Sequence, residues 1–333
     1  MRVLLVSEHR YPAFGPKGAG LHPREYPSGS SYYLHDLLAL GLVEEGHEVF
    51  YFLGDGADSA LPPGVNLVSD VLPEADICHS LVRPPWLAKE AARIASRQGI
   101  PCLLTCHMVQ PGCPAQPNWI FVSRSHARAY GGCRVVLNGI HPGDCVFSET
   151  KGDYLLFMGA MERAEGKGLD LALALSNRKG FRLLVAGTGP DYETISRISD
   201  MCAAAGAQYV GDVRGQEKAE LIAGARALLF PSRLTEGCPL VILEAMLSGT
   251  PVISSPCGGS AEIVTPETGF LCETEAEWLD AVDRLDRISP ARCRELGLMK
   301  FHYRRMVRDY VREYEREIAG ESYANGAPST LRI

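Results

Sequence analysis

The chain of 333 residues has no apolar run that reaches the roughly 18–20 residues needed to span a membrane. It has no excess of positive charge either, because its net charge is −7 and neither half is basic. It carries no internal repeat and no low-complexity tract. These absences predict a protein with no stable membrane insertion and no nucleic-acid partner.

Two further kinds of site lack their usual residues. No G-x-G-x-x-G opens either half of the chain, which argues against a nicotinamide or flavin cofactor. The eleven cysteines lie singly, and although Cys102, Cys106 and Cys113 lie close to His107, no second cluster completes a zinc site of the usual spacing. We therefore expect no metal, reduced thiols and a cytoplasmic location.

What the chain does have is the composition of a globular protein of about two domains, with 46% hydrophobic residues and a mean hydropathy of −0.03. Its first residues, MRVLLV, predict a β-strand and not a secretion signal. Short, continuous apolar runs alternate with amphipathic segments of helix length, a pattern typical of a doubly wound α/β fold with parallel sheets. The predicted strands are Val3–Val6, Val49–Leu53, Asp76–Leu81, Cys102–Thr105, Ile120–Ser123, Val135–Leu137, Tyr154–Met158, Phe181–Ala186, Gln208–Val210, Ala227–Pro231 and Val252–Ser255.

The strands are too many for one such domain, and an aperiodic polar stretch at Gly139–Asp153 marks a break. We predict two Rossmann-like domains, 1–148 and 149–297, facing across a cleft. A last amphipathic helix follows within 298–320, and a flexible tail covers 321–333. One face of that helix should hold Tyr303, Met306, Val307, Tyr310, Val311, Tyr314 and Ile318.

The loops after the strands are where an open α/β sheet binds ligands. After Ala227–Pro231, Glu236 precedes a helix start, and Glu244 lies about a turn and a half inside that helix. The helix start offers N–H donors to a phosphate, and the carboxylates can accept hydrogen bonds from sugar or ribose hydroxyls. The alternative is that Glu236 only favours the helix N-terminus and Glu244 is solvated.

A second loop, Gly159–Gly168, follows Tyr154–Met158 and contains Arg163 and Lys167. Two cations in a glycine-rich loop suit a diphosphate. The alternative is an ordinary glycine turn with solvated charges, which has the same sequence pattern.

Together these loops resemble a known family. The run FPSRLTEGCPLVILEAMLSGTPVISSPCGG from Phe230, with the Gly159–Gly168 loop and the AGTGP segment at Ala186, is similar to the C-terminal domain of the retaining glycosyltransferases of family 4, which have the GT-B fold. Glu236 and Glu244 match the E-x7-E motif of that family. The likeness is strong from Tyr154 to Leu271 and looser in the first domain, where NGIHPGDCVF precedes the break.

The resemblance implies a role for each matching residue. Glu236 would contact the hydroxyls of the donor hexose and Glu244 the ribose diol. Lys167 would bind the donor diphosphate, and His107 would help to place the reacting sugar. The remaining donor contacts implied are Gly29, Gly237, Cys238, Pro239 and Leu240.

The resemblance also implies the organisation of the chain. Residues 1–148 would bind the acceptor, 149–297 would bind the nucleotide sugar, and the last helix would return to pack on the first domain. The loop from Arg10 to Pro27 should shape the acceptor pocket.

The sequence departs from the family in two places. The first-domain glycine loop reads Ser28-Gly29-Ser30-Ser31 instead of a double glycine, and the second departure is at the loop arginine. Relatives carry an arginine directly after the first glycine of the loop at Gly159, where this chain has Ala160 and Met161. Either Arg163 replaces that charge from a shifted position, or Lys167 and the helix N-terminus hold the diphosphate alone.

The sequence contains no Asp-x-Asp, the usual ligand pair for a metal-bound diphosphate, so the resemblance implies a metal-independent transfer without a separate cofactor. We expect a retaining hexosyltransferase that uses a nucleotide-diphosphate sugar, with UDP favoured, and a small soluble hydroxyl acceptor. The alternatives are another GT-B enzyme, such as a nucleotide-sugar epimerase, and a catalytically silent module that binds a nucleotide sugar or a partner. The oligomeric state is left open.

Overall fold

The computed structural model describes residues 1–7, 31–52, 61–69, 71–108 and 114–321. The chain divides into two compact units. Unit 1 comprises Met1–His141 and Phe301–Ile333, and unit 2 comprises Pro142–Lys300. The unit boundaries lie at residues 141/142 and 300/301, a few residues from the predicted 148/149 and 297/298.

Unit 1 is built on a six-stranded parallel sheet in the order β3-β2-β1-β4-β5-β6. Leu4, Val6, Cys78, Leu104 and Phe121 from this sheet belong to one buried apolar cluster. Burial on both faces explains why the strands read as continuous apolar runs. The strands are β1 (Arg2–Val6), β2 (Glu48–Phe52), β3 (Asn66–Val68), β4 (Ile77–Leu81), β5 (Cys102–Cys106) and β6 (Trp119–Phe121).

Helices α1 (Ser31–Glu44), α2 (Pro85–Gln98) and α3 (Arg124–Tyr130) accompany this sheet. The last begins at Ser123, whose hydroxyl accepts a hydrogen bond from the His126 N–H, and it ends at Gly131 in the left-handed conformation. Such a cap stabilises a short helix by about 1 kcal/mol.

Unit 2 has a second six-stranded parallel sheet, in the order β12-β11-β10-β7-β8-β9. Its strands are β7 (Tyr154–Met158), β8 (Arg182–Ala186), β9 (Gln208–Gly211), β10 (Ala227–Phe230), β11 (Val252–Ser254) and β12 (Gly269–Leu271). Its helices are α4 (Leu169–Lys179), α5 (Tyr192–Ala204), α6 (Gly215–Gly224), α7 (Leu240–Leu247), α8 (Ser260–Ile263), α9 (Glu275–Asp283) and α10 (Pro290–Phe301).

The final helix, α11 (Tyr303–Ile318), belongs to unit 1. Its buried face contains Tyr303, Met306, Val307, Tyr310 and Tyr314, as predicted, whereas Val311 is half-buried and Ile318 is exposed. Glu313 is buried instead, beside the buried Arg134. The single last helix predicted within 298–320 is interrupted near its start, because His302 adopts an extended conformation (ψ 134°) between α10 and α11.

Two tyrosines of α11 complete a buried polar network in unit 1. The Tyr314 hydroxyl lies 2.6 Å from His79 Nδ1, and the other ring nitrogen of His79 lies 2.8 Å from the Thr105 hydroxyl. The Tyr310 hydroxyl lies 2.8 Å from that same threonine oxygen. Burial holds the pKa of His79 well below its ordinary value, so the imidazole is neutral and uses both nitrogens in hydrogen bonds.

One predicted strand is wrong. Val135–Leu137 forms only an isolated bridge, between Val135 and Phe121. The backbone around Val135 makes two hydrogen bonds with β6, from the Phe121 N–H to the Arg134 carbonyl and from the Val136 N–H to the Phe121 carbonyl. The carbonyls of Leu137 and Asn138 then accept hydrogen bonds from the Arg305 guanidinium of α11, and the pairing with β6 does not extend into a strand. Two edge strands of three residues each, β3 and β12, were not predicted.

Among the helices that the structure describes, none is both long enough and apolar enough to span a membrane.

Candidate active site

In the sheet of unit 2, the neighbouring strands β7 and β10 mark the point where the order of strands along the chain reverses. From β7 the chain proceeds outwards through β8 and β9, and from β10 it proceeds outwards on the other side through β11 and β12. The loops that follow β7 and β10 therefore flank the topological switch point, where open α/β sheets bind ligands at the carboxyl ends of their strands. These loops contain the predicted residues Lys167 and Glu236.

Lys167 and Glu236 meet at this point. Lys167 Nζ donates a hydrogen bond to Glu236 Oε1 at 2.6 Å, and the Ser232 hydroxyl donates to the same oxygen at 2.9 Å. The two charged side chains are only 15% and 16% exposed, and Lys167 Nζ lies 5.5 Å from the centre of the Phe230 ring. A largely buried cation and a largely buried hydrogen-bond acceptor thus lie side by side.

Two glycines allow the neighbouring loops to approach closely. Gly168 has φ +78°, and a Cβ there would lie 2.1 Å from the Pro231 carbonyl oxygen. Gly258 has φ +60°, and a Cβ there would lie 2.3 Å from the Glu236 carbonyl oxygen. That oxygen also accepts a hydrogen bond from the Gly259 N–H at 2.7 Å. The loops after β7, β10 and β11 therefore pack on one another through backbone that only glycine can supply.

Helix α7 begins four residues after Glu236, at Leu240. Pro239 is its N-cap residue, with extended backbone at φ −67° and ψ 113°, and Leu240 is its first residue. Gly237 and Cys238 lie between Glu236 and this N-cap, and Cys238 is buried. The first N–H groups of a helix have no carbonyl one turn earlier to bind, so this end suits an anionic group.

Glu244 of α7 is paired and not solvated, contrary to the alternative considered above. Lys218 Nζ of α6 donates a hydrogen bond to Glu244 Oε1 at 2.6 Å, whereas Glu244 Oε2 is buried without a hydrogen-bond partner among the described residues. One carboxylate oxygen is thus occupied, and the other is available to a donor such as a hydroxyl.

Asp144 lies in a short 3-10 helix, Pro142–Asp144, beside this pair. Burial, and secondly the negative charge of Glu244, raise the pKa of the Asp144 carboxyl from its usual 3.8 to about 8, against the lowering effect of Lys218. Asp144 is therefore protonated at neutral pH. The sequence analysis assigned no role to Asp144, Lys218 or Ser232. Asp144 and Lys218 lie far along the chain from Glu244, on which they act, and the hydrogen bond from Ser232 to Glu236 depends on the fold of the loop.

The predicted loop cations differ in their surroundings. Arg163 ends a 3-10 turn, Met161–Arg163, and its side chain is exposed, while its carbonyl accepts a hydrogen bond from the Lys167 N–H at 2.9 Å. No carboxylate of the described ranges forms an ion pair with Arg163. Met161 is fully buried in the apolar core of unit 2, so the Ala160–Met161 segment supplies no charge to this loop.

In unit 1, His107 directly follows β5 and lines a cavity of about 400 Å³. That volume is within the range of small-molecule sites. Burial, together with the nearby His126, lowers the pKa of His107 to about 3, so its imidazole is neutral. The other lining residues come from the start of α1 and the ends of β4 and β5: Ser31, Tyr32, Leu81, Val82, Arg83, Pro84, Pro85, Thr105, Cys106 and Met108.

Several predicted features lie outside the described residues, namely Gly29, the loop from Arg10 to Pro27 and Cys113. In the part of the chain that the structure describes, no three His, Cys, Asp or Glu side chains are grouped to hold a metal ion.

Comparison with known proteins shows a likeness over part of unit 2. Residues 152–287 match the profile described as Glycosyl transferases group 1. Over 105 residues the chain is 30% identical to a GDP-mannose-dependent monoacylated alpha-(1-6)-phosphatidylinositol monomannoside mannosyltransferase of Corynebacterium glutamicum, with 30% of this chain and 27% of that protein covered. Over 143 residues it is 30% identical to N-acetyl-alpha-D-glucosaminyl L-malate synthase of Bacillus anthracis, with 40% and 37% covered. The matched stretch thus spans about a third of each relative.

Solved structures match over nearly the whole chain. AviGT4, a glycosyltransferase involved in avilamycin A biosynthesis, superposes with a TM-score of 0.74 at 24% identity, covering 97% of this chain and 99% of its own. Sucrose-phosphate synthase from Thermosynechococcus elongatus gives a TM-score of 0.68 at 19% identity, with 96% and 100% covered. The predicted fold class is confirmed, because the chain has the GT-B fold, and residues 152–287 bear the expected resemblance to glycosyl transferases group 1.

Proposed function

We propose that the protein is a retaining glycosyltransferase that transfers a hexose-type sugar from a nucleotide-diphosphate sugar to a hydroxyl acceptor without a metal ion. The observation that carries the proposal is the pairing of Lys167 with Glu236 at 2.6 Å, at the switch point of unit 2 and next to the start of α7. A cation and a helix N-terminus suit a diphosphate, and a carboxylate beside them suits sugar hydroxyls.

The proposed donor site divides into three parts. Lys167 and the backbone from Gly237 to Leu240 bind the diphosphate, and Glu236 binds the hexose hydroxyls. Glu244 binds the ribose diol, since its Oε2 is buried without a partner in the described chain. Lys218 donates a hydrogen bond to the other oxygen and holds the carboxylate in place.

In the proposed reaction the leaving diphosphate gathers negative charge as the glycosidic bond breaks. Lys167 and the α7 N-terminus stabilise that charge electrostatically, and no protein nucleophile is required. The leaving phosphate takes the proton of the acceptor hydroxyl. Most of the rate then comes from positioning the two reactants.

Unit 1 is the proposed acceptor unit. The cavity of about 400 Å³ beside His107 has mainly apolar side chains and the single cation Arg83 among its described lining residues. The neutral imidazole of His107 can donate or accept a hydrogen bond without adding charge. We propose that it helps to place the reacting sugar.

UDP is the proposed donor nucleotide, and GDP is its principal competitor. A solved structure of Anabaena HepE in complex with UDP-glucose shares the fold with a TM-score of 0.65 at 14% identity, whereas the Corynebacterium relative is described as GDP-mannose-dependent. The test is to incubate the protein with UDP-glucose, UDP-N-acetylglucosamine and GDP-mannose in EDTA, and to measure the nucleoside diphosphate released with and without a panel of alcohols.

Three variants make this test specific. We expect Glu236→Ala to lower kcat strongly. Glu244→Ala should instead weaken nucleotide binding about 10- to 100-fold, because a hydrogen bond to a charged group contributes about 1.5–3 kcal/mol. Glu267→Ala is the matched control, since Glu267 forms an exposed ion pair with Arg292 away from these loops.

The silent-module alternative has one observation in its favour, because buried Met161 and exposed Arg163 occupy the segment where relatives carry the loop arginine. Nucleotide binding without any release of diphosphate from the sugar nucleotides would support that alternative. Full activity of Glu236→Ala would contradict the role assigned to Glu236.

A further inference from the structure

Arg233 joins the two loops that carry Lys167 and Glu236. Its guanidinium donates two hydrogen bonds to the Asp170 carboxylate, Nη1 to Oδ1 and Nη2 to Oδ2, both at 2.7 Å. Nη1 also donates to the Glu165 carbonyl at 2.9 Å, and the Arg233 N–H donates to the Gly166 carbonyl at 2.8 Å. One residue of the β10–α7 loop thus makes four hydrogen bonds to the β7–α4 loop and the first turn of α4.

These contacts surround Lys167 in the chain. Glu165 and Gly166 immediately precede it, and Asp170 follows it by three residues. Arg233 itself lies three residues before Glu236. Any movement of one loop against the other would therefore change the 2.6 Å separation of Lys167 Nζ and Glu236 Oε1.

The Arg233–Asp170 pair is exposed, with side chains 50% and 52% accessible. Exposed ion pairs contribute little to the free energy of unfolding. A bidentate guanidinium–carboxylate pair does, however, define one geometry, which a lysine cannot reproduce. The consequence of this pair should appear in the alignment of the site and not in global stability.

We propose that Arg233 is a positioning residue, which holds the Lys167–Glu236 pair in the geometry used for sugar transfer by locking the β10–α7 loop onto the β7–α4 loop. Arg233 acts through its neighbours and does not contact the donor. This inference rests on the proposed function for its effect on turnover, but the loop contact itself can be tested independently.

The first readout is turnover of the nucleotide sugar. Arg233→Ala should lower kcat about 10- to 100-fold, the effect of a misplacement of about 1 Å in an active site. Arg233→Lys should remain impaired, and the exchanged pair Arg233→Asp with Asp170→Arg should recover much of the loss. The matched control is Arg292→Ala, because Arg292 is similarly exposed and pairs with Glu267 within the same unit. Both alanine variants should lower the unfolding midpoint by a similar, small amount.

The second readout does not depend on activity. Lys167 is only 15% exposed and is held by Glu236, so trace acetylation with acetic anhydride, quantified by mass spectrometry, should modify it slowly. In Arg233→Ala the acetylation rate of Lys167 should increase severalfold, and in Arg292→Ala it should not change.

The two failures are distinguishable. If the wild-type protein releases no diphosphate and binds no nucleotide, the proposed function is wrong, and the acetylation rate alone decides whether Arg233 positions Lys167. If the wild type is active and Arg233→Ala retains both its kcat and its slow acetylation of Lys167, the positioning role is wrong.

Discussion

Replacing Asp144 with asparagine should stabilise the protein, and the gain should depend on pH. Burial and the Glu244 carboxylate raise the pKa of Asp144 to about 8, whereas the ordinary value is 3.8. Between these two pH values the folded protein keeps a proton that the unfolded chain releases. Stability therefore falls as pH rises from about 4 to about 8, and the penalty is constant above that range.

The size of the effect follows from these two values. Each pKa unit corresponds to about 1.4 kcal/mol, which sets a ceiling of about 1.5 kcal/mol at pH 5 and about 4 kcal/mol at pH 7. Because Asp144 is only half-buried, water screening reduces the expected gain at pH 7 to about 2–4 kcal/mol. Asparagine has nearly the same shape as the protonated carboxyl but no charge to suppress.

The assay is thermal unfolding of wild type and Asp144→Asn at pH 5 and pH 8. A unit of this size gains about 2–4 °C in Tm per kcal/mol, so the variant should be several degrees more stable at pH 8 and much less so at pH 5. Asp286→Asn is the control, since Asp286 is 83% exposed and pairs with Arg226, and it should change little at either pH. A Tm difference for Asp144→Asn that is equal at both pH values would refute the reasoning.

Two further predictions concern unit 1. Tyr314→Phe removes the hydroxyl 2.6 Å from His79 Nδ1 and leaves a buried nitrogen unpaired. In a denaturant titration it should lower the free energy of unfolding by about 1–3 kcal/mol. The control Tyr192→Phe, at an 86% exposed position, should leave the free energy of unfolding unchanged. Because the pKa of His107 is lowered to about 3, its ring proton signals in NMR should not titrate between pH 5 and pH 8, and a midpoint near 6.5 would show that the imidazole is not desolvated.

The parts of the fold that could be predicted from sequence are those with a local signal. The helix predicted to start after Glu236 and to contain Glu244 is found as α7, Leu240–Leu247, because Pro239 precedes it and Gly249 follows its last turn. Strand β7 is likewise found at the predicted Tyr154–Met158, since it is a continuous apolar run covered on both faces.

The wrong predictions fall where contacts with residues distant in the chain determine the backbone conformation. Val135–Leu137 has the composition of a strand, but it pairs with β6 only around Val135, and the Leu137 carbonyl is bound by Arg305, some 170 residues later. The break between α10 and α11 at His302 is similar, because Ile140 binds the backbone on both sides of it, at Phe301 and Tyr303. Periodicity over a few turns contains no information on such pairings.

The candidate site shows the same division. Lys167, Glu236 and Glu244 were recognisable from loop position and motif, and the structure brings Lys167 and Glu236 into contact. Their partners were not recognisable: Lys218, which binds Glu244, and Asp144 carry no pattern of their own. The sequence alone does not show which counter-ion a charged helix residue will have, because that partner is brought near only by the tertiary structure.

The most direct test of the donor site is thermal unfolding with UDP, GDP, ADP and NADH, each added separately in large excess, without and with Mg²⁺. A ligand present at about 100 times its Kd adds roughly 2.7 kcal/mol to the free energy of unfolding, which is a shift of several degrees. The account predicts that one nucleoside diphosphate, UDP first, raises the midpoint without metal, and that Glu244→Ala reduces the stabilisation to about 0.4–1.4 kcal/mol at the same ligand concentration. If NADH alone raises the midpoint, or if none of the four does, the assignment of unit 2 as a nucleotide-sugar site is contradicted.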